Sequence, residues 1–111
     1  MNSKRSTAVA AVLLTAAMLP VRAQDDAAKV ARGKEVFTAQ KCSMCHMVEG
    51  KGNKSHPLDG VGSQLKPEDI KKWVVAPKDM KADTKMKAYP NLPAADLDAI
   101  IAYLSSLKKK E

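Results

Sequence analysis

The chain has 111 residues, 45% of them hydrophobic, and only one Trp, two Tyr and one Phe, which is enough for one small domain. Nineteen Lys and Arg outnumber twelve Asp and Glu, so the formal net charge is +7. This modest positive balance suits docking to acidic protein surfaces and is weak evidence for nucleic-acid binding, which we do not expect.

The amino-terminal residues have the layout of an export signal. Basic residues precede an apolar run over 7–19, and small side chains at Val21 and Ala23 fit a cleavage site after Ala23. The run covers only about 20 Å of a hydrocarbon layer that is roughly 30 Å thick. We therefore expect a secretory signal peptide at residues 1–23 and an exported domain at 24–111, with no stable membrane insertion of the mature chain.

The pentapeptide Cys42-Ser43-Met44-Cys45-His46 carries the strongest chemical signal in the chain. Two cysteines three residues apart, followed at once by histidine, form the attachment signal of a covalent c-type haem. On a helical turn, residues i, i+3 and i+4 lie on one face, so both thiols and the imidazole can approach the same porphyrin. The pattern predicts Cys42 and Cys45 as covalent tethers and His46 as the proximal iron ligand.

Three other interpretations of the two cysteines are weaker. A dithiol redox site is expected beside a βαβ pattern, which the surrounding sequence does not show. Zinc could use Cys42, Cys45, His46 and His56, but adjacent Cys45 and His46 converge poorly on one tetrahedral ion. A disulfide would close a tiny loop, where the entropic stabilisation is smallest. Haem attachment is the preferred interpretation.

Three helices are predicted around this motif. The first begins near Asp25 and Asp26, whose carboxylates suit a helix amino terminus, and runs to about Gln40. The second spans Pro67 to about Val75. The third begins near Pro93 and has apolar residues at three- and four-residue steps, namely Leu97, Ile100, Ile101, Leu104 and Leu107.

The remaining stretches carry fewer structural signals. Residues 48–64 contain four Gly together with Asn53, Ser55 and Pro57, which predicts a loop without regular structure. Within it, His56 is expected to be exposed rather than a second metal ligand, and a backbone carbonyl can accept the second N–H of the proximal histidine. Trp73 is a possible donor to a haem propionate. Lys108 to Lys110 are expected only to complement the helix dipole.

The segment from Lys78 to Pro90 must supply whatever ligand lies opposite His46. Thioether sulfur is a soft ligand, and Met/His ligation raises the reduction potential of haem iron. The two methionines beside the attachment motif are too close to His46 to reach the opposite face of the porphyrin. Met80 and Met86 both remain, and composition alone does not choose between them.

The order of these parts resembles a class I monohaem cytochrome c over essentially all of residues 24–111. The matching stretches are 33–37, 42–46, 57–62, 86–92 and 96–104. The resemblance implies an all-α fold in which three main helices and loops wrap around one covalent haem c. It also implies haem attachment outside the cytoplasm, and hence a periplasmic protein.

The resemblance also implies roles for individual residues. Met86, followed by Lys87-Ala88-Tyr89-Pro90, matches the distal-methionine motif better than Met80 does. Pro57 matches the residue whose carbonyl supports the proximal histidine. Gly33 and Phe37 match positions that cross the carboxyl-terminal helix near Tyr103.

An iron with both axial positions filled has no coordination site for a substrate. The expected function is therefore one-electron Fe(III)/Fe(II) transfer between periplasmic redox partners, and not an enzymatic reaction. Partners with acidic docking surfaces could meet exposed lysines near the haem edge: Lys41, Lys51, Lys54, Lys78, Lys81, Lys85 and Lys87. Two alternatives are a cytochrome c subunit of a larger oxidase or dehydrogenase complex, and a haem sensor or enzyme with a displaceable distal Met86.

Overall fold

The computed structural model describes residues 10–16 and 21–110. Five helices lie in this part of the chain: α1 (Val21–Ala39), α2 (Val61–Gln64), α3 (Pro67–Val75), α4 (Pro77–Met80) and α5 (Ala94–Ser106). None of the described helices is both long and apolar enough to cross a bilayer. The predicted signal peptide falls largely on residues 1–9 and 17–20, which lie outside the described part.

The helix predictions agree closely with these bounds. The second predicted helix has the bounds of α3, with Pro67 in its first turn. Pro93 is the N-cap of α5, as its fixed backbone dihedral favours. The first helix begins at Val21, four residues before the predicted start at Asp25, and ends one residue before Gln40.

The expectation of a structureless loop after the haem-attachment motif is wrong. A 3₁₀ turn at Cys42–Met44 leads into three short strands, β1 (His46–Val48), β2 (Lys51–Gly52) and β3 (His56–Pro57). They form a sheet of order β2-β1-β3, antiparallel for β1 and β2 and parallel for β1 and β3. The fold is therefore mostly helical with a small sheet, and its four-residue helices α2 and α4 add to the three that were predicted.

The backbone between β1 and β2 explains how such short strands can pair. Val48 lies opposite Lys51, so only Glu49 and Gly50 connect the two strands. Both connecting residues have positive φ, 50° and 77°. A two-residue hairpin turn of type I′ requires this conformation at both central positions, and glycine adopts it at little cost.

The core is formed where α1 crosses α5. A side chain at Gly33 would overlap the carbonyl of Ala99 and come within 2.5 Å of the Tyr103 Cβ, so glycine is required for this close approach. One turn later, the rings of Phe37 and Tyr103 meet edge to face with centroids 5.7 Å apart. These contacts agree with the predicted helix crossing. The buried cluster consists of Val36, Phe37, Val48, Ile70, Val74, Ile100, Tyr103 and Leu104.

The residues that follow α5 are bound to α2. The Lys108 ammonium donates to the Gly62 carbonyl at 2.8 Å, and the Gly62 N–H donates to the Leu107 carbonyl at 2.9 Å. The Lys109 N–H donates to the Ser63 hydroxyl at 2.8 Å. Lys108 therefore does more than complement a helix dipole, because its side chain satisfies a carbonyl of another element.

Candidate haem site

A cavity of about 380 Å³ opens beside α3 and α5. Its walls are mostly apolar and include Leu58, Val61, Leu65, Ile70, Trp73 and Leu92. The volume lies within the range of roughly 300–1,000 Å³ that is usual for small-molecule and cofactor sites. The helices of this small domain thus enclose an apolar space that a large flat ligand could occupy.

The attachment motif lies beside this cavity. Cys42 is half-buried and lines the cavity, whereas Cys45 is exposed and does not line it. Both cysteines are free thiols, and the 3₁₀ turn is closed by a Cys45 N–H to Cys42 carbonyl hydrogen bond of 3.2 Å. Burial raises the pKa of the Cys42 thiol, and the nearby Cys45 adds to the shift. Cys42 is therefore held as a neutral thiol.

His46 also lines the cavity, and its ring is fixed by one hydrogen bond. Its Nδ1 lies 3.1 Å from the carbonyl oxygen of His56. A carbonyl can only accept, so Nδ1 carries the proton and the lone pair is on Nε2. Burial lowers the pKa of His46, which favours the neutral imidazole. This is the protonation state and tautomer that can bind a metal ion.

The carbonyl that accepts from His46 belongs to His56 and not to Pro57, which corrects the prediction. In the parallel pairing of β1 and β3, His46 lies opposite His56 and Met47 lies opposite Pro57. The Leu58 N–H donates to the Met47 carbonyl at 2.8 Å and continues this register. Pro57 lines the cavity instead. The His56 side chain is exposed, as predicted, with its ring centroid 5.9 Å from that of His46.

The two candidate distal methionines differ in position. Met86 is half-buried and lines the cavity. Met80 is the last residue of α4 and is not among the cavity-lining residues. The Met86 N–H donates to the Thr84 hydroxyl at 3.2 Å. The structure therefore brings Met86, Cys42 and His46 to one cavity and leaves Met80 outside it.

Trp73 is half-buried and lines the cavity from α3. Its indole N–H makes no hydrogen bond with the part of the chain that the structure describes. This leaves the donor available to a ligand, and contact with a propionate stays a prediction.

Sequence reasoning did not select three further polar residues that line the cavity, namely Gln40, Ser55 and Tyr89. The Tyr89 hydroxyl donates to the Gln40 carbonyl at 3.2 Å, and both residues border the cavity. The position of Tyr89 within the distal motif could have indicated a role for it. Gln40 contributes a backbone atom to this bond, so its side-chain type gives no signal.

The described residues offer no preformed site for a bare metal ion. Across 10–16 and 21–110, no group of three or more His, Cys, Asp and Glu side chains is arranged to hold one. The Cys₂His₂ set that could have bound zinc is thus not assembled.

Comparison with known proteins agrees with the geometry of the site. The family model described as Cytochrome c matches residues 30–108. Cytochrome c oxidase subunit 2 of Alkalihalophilus pseudofirmus (strain ATCC BAA-2126 / JCM 17055 / OF4) is 33% identical over 89 residues. That alignment covers 72% of this chain but 26% of the relative, so the chain spans about a quarter of the relative's length. Because the family model matches most of the chain, including the attachment motif and the cavity walls, this protein belongs to the cytochrome c family.

Proposed function

We propose that this protein is a one-electron carrier that holds a single haem c, tethered through Cys42 and Cys45, with His46 and Met86 as axial ligands. The observation that carries the proposal is that Cys42, His46 and Met86 line the same apolar cavity. When bound, haem c supplies an iron that alternates between Fe(III) and Fe(II). The cavity residues fit this group because they offer apolar walls, a thiol, a neutral imidazole and a thioether.

The two axial residues have complementary tasks. The His56 carbonyl holds the Nδ1 proton of His46, which orients the ring and makes Nε2 a stronger ligand. The Met86 sulfur is a soft ligand that favours reduced iron and raises the reduction potential. With both residues bound, the iron would have no coordination position for a substrate, and this is why we propose electron transfer rather than catalysis.

The surroundings of the cavity add two further proposals. The Trp73 indole N–H is a donor for a haem propionate. The seven candidate docking lysines are all exposed, although Glu49, Asp79 and Asp83 interrupt them. Partners with acidic surfaces would be steered by such a patch, so electron-transfer rates should fall as ionic strength rises. We place the exported protein in the periplasm.

A second candidate function is that of a cytochrome c subunit in a larger oxidase complex. The name of the relative, cytochrome c oxidase subunit 2, favours this second function. The alignment covers only 26% of that relative, which argues against it. The electron-transfer chemistry would be the same, but the neighbours would be fixed. Size-exclusion chromatography of a native extract separates the two. A free carrier elutes at the size of a single chain, which is smaller than the 12.0 kDa of the full sequence once residues 1–23 are removed, and a subunit co-elutes with a larger complex.

The primary test is to express the protein in a host that attaches haem and to record its intact mass, pyridine haemochrome and spectra. We expect one covalent haem per chain and a weak sulfur-to-iron charge-transfer band in the oxidised protein. Met86→Ala should lose this band and Met80→Ala should keep it. Colourless protein with the mass of the peptide alone, or a band that persists in Met86→Ala, would contradict the proposal.

A further inference from the structure

We infer that Tyr89 is a positioning residue, whose hydroxyl attaches the segment that carries Met86 to the carboxyl end of α1. This attachment keeps external ligands away from the Met86 side of the haem. This inference rests on the proposed ligation by Met86. It concerns the Tyr89 hydroxyl, which would not itself bind iron.

The segment that carries Met86 has little structure of its own. Residues 81–93, between α4 and α5, contain no helix or strand. Within the segment, the Thr84 N–H donates to the Lys81 carbonyl at 3.1 Å and the Met86 N–H donates to the Thr84 hydroxyl at 3.2 Å. Local hydrogen bonds of this kind shape a turn but do not attach it to the rest of the molecule. The position of Met86 therefore depends on contacts that leave the segment.

Tyr89 supplies two such contacts. Its N–H donates to the Val74 carbonyl in α3 at 2.9 Å, and its hydroxyl donates to the Gln40 carbonyl at 3.2 Å. The second bond joins residues 49 positions apart. The ring is half-buried and lines the cavity, so it lies beside the space that the haem would fill. The Tyr89 side chain thus attaches residues 81–93 to the end of α1, and the Tyr89 backbone attaches them to α3.

The acceptor at Gln40 is suited to this task. Gln40 follows the last residue of α1, and its N–H donates to the Val36 carbonyl at 2.9 Å. It lies two residues before Cys42, which borders the same cavity. Carbonyls at a helix carboxyl end lack a partner within the helix and accept hydrogen bonds from outside. The Tyr89 hydroxyl therefore connects residues 81–93 to the end of α1, close in sequence to the proposed haem tether Cys42.

The hydroxyl and the ring of Tyr89 can be tested separately. The Lys87 ammonium lies 5.4 Å from the centroid of the Tyr89 ring, within the distance of a cation–π contact. Tyr89→Phe keeps this contact and the cavity wall and removes only the bond to Gln40. Tyr89→Leu removes the aromatic ring as well.

The experiment measures how readily an external ligand displaces Met86. Imidazole is titrated into the oxidised holoprotein at neutral pH, and its apparent Kd is taken from the loss of the sulfur-to-iron band. Loss of one net hydrogen bond should shift the opening equilibrium about fivefold, so Tyr89→Phe should bind imidazole about fivefold more tightly than the wild type. Tyr89→Leu should show a larger change. Haem content should be unchanged in Tyr89→Phe.

The matched control is Tyr103→Phe, which removes the same atom from the chain's other tyrosine. Tyr103 packs against Phe37 at the helix crossing, so its hydroxyl should not affect imidazole binding. If Tyr89→Phe lowers the thermal stability but binds imidazole with wild-type affinity, Tyr89 is merely structural and the inference is overturned.

The same titrations separate this inference from the proposed function. A wild-type protein without the sulfur-to-iron band, or a Met86→Ala variant that keeps it, overturns both. A band that is lost in Met86→Ala, together with wild-type imidazole affinity in Tyr89→Phe, overturns only the role of Tyr89.

Discussion

The two sides of the cavity are built in different ways. On one side, His46 begins a strand that pairs with two others, and its ring is bonded to the carbonyl opposite it. Elsewhere in the cavity lining, Met86 lies in a segment without helix or strand, from which Tyr89 donates hydrogen bonds to the Gln40 and Val74 carbonyls. A hydrogen-bonded sheet thus carries one proposed ligand and a few long-range contacts carry the other. Opening of the site should therefore begin on the Met86 side.

The largest expected effect comes from removing each proposed axial ligand in turn. His46→Ala should lower the covalent haem per polypeptide at least about tenfold, because it removes the proposed iron ligand that the sheet and the His56 carbonyl hold in place. Met86→Ala should keep the haem and the helical circular dichroism. Its reduction potential should fall by more than ~100 mV, within the range of about 0.8 V that axial ligands set. Equal haem content in the two variants would show that the two sides do not differ as described.

The next effect tests the packing of α2 against α5, two helices that contribute residues to the cavity wall. A Cβ at Gly62 would overlap the Ser105 carbonyl and lie 3.0 Å from the Leu104 carbonyl. Gly62→Ala should therefore lower the free energy of unfolding by about 1–3 kcal/mol, measured by urea denaturation of the holoprotein. At Gly50, where nothing lies within 4 Å, alanine should cost only about 1 kcal/mol for the left-handed backbone. A Gly62→Ala variant as stable as the wild type would refute the close contact.

A smaller effect is expected at the chain end that is bound to α2. Lys108→Met keeps most of the side-chain volume but removes the donor to the Gly62 carbonyl, so unfolding should become easier by about 1 kcal/mol. Lys110→Met removes the same charge from an exposed residue and should change little. Equal effects of the two substitutions in urea denaturation would indicate a general charge effect and not a specific bond.

The smallest effect is a dependence of stability on pH. Burial raises the pKa of Tyr103 above its ordinary value of 10.0, and Glu49 and Asp59 add to the shift. The unfolded chain therefore releases this proton at a lower pH than the folded protein does. The folded state binds more protons above that value, so the free energy of unfolding falls as the pH rises.

Below the ordinary tyrosine pKa, the contribution of Tyr103 to stability is fully present. Tyr103→Phe should reduce the alkaline slope in urea denaturation series, and Tyr89, whose pKa burial also raises, should retain part of it. An unchanged slope in Tyr103→Phe would contradict the assignment.

Features that depend on neighbouring residues could be predicted from the sequence. Pro67 and Pro77 start and stop the second predicted helix locally, so the bounds of α3 agree with it. The attachment motif is equally local, since its two cysteines and its histidine lie within five consecutive residues. The family membership inferred from the order of motifs agrees with the match over residues 30–108.

Features that depend on distant partners could not be predicted. The choice between the His56 and Pro57 carbonyls follows from the register of two very short strands, which composition does not encode. The bond from Tyr89 to Gln40 uses a backbone acceptor 49 residues away. Residue types alone left both Met80 and Met86 open as the distal ligand. The resemblance to class I cytochromes c favoured Met86, and Met86 is the one of the two that lines the cavity.

The first helix extends well beyond the packed body of the protein. Residues 21–29 of α1 are exposed, and Val30 is the first residue of the helix that packs against the core. A peptidase that cut after Ala23 would therefore trim a solvated end without breaking any core contact. The new amino end would place Asp25 and Asp26 in the first turn, where their negative charges offset the bare N–H groups. Removal of residues 1–23 would then leave the packed core unchanged.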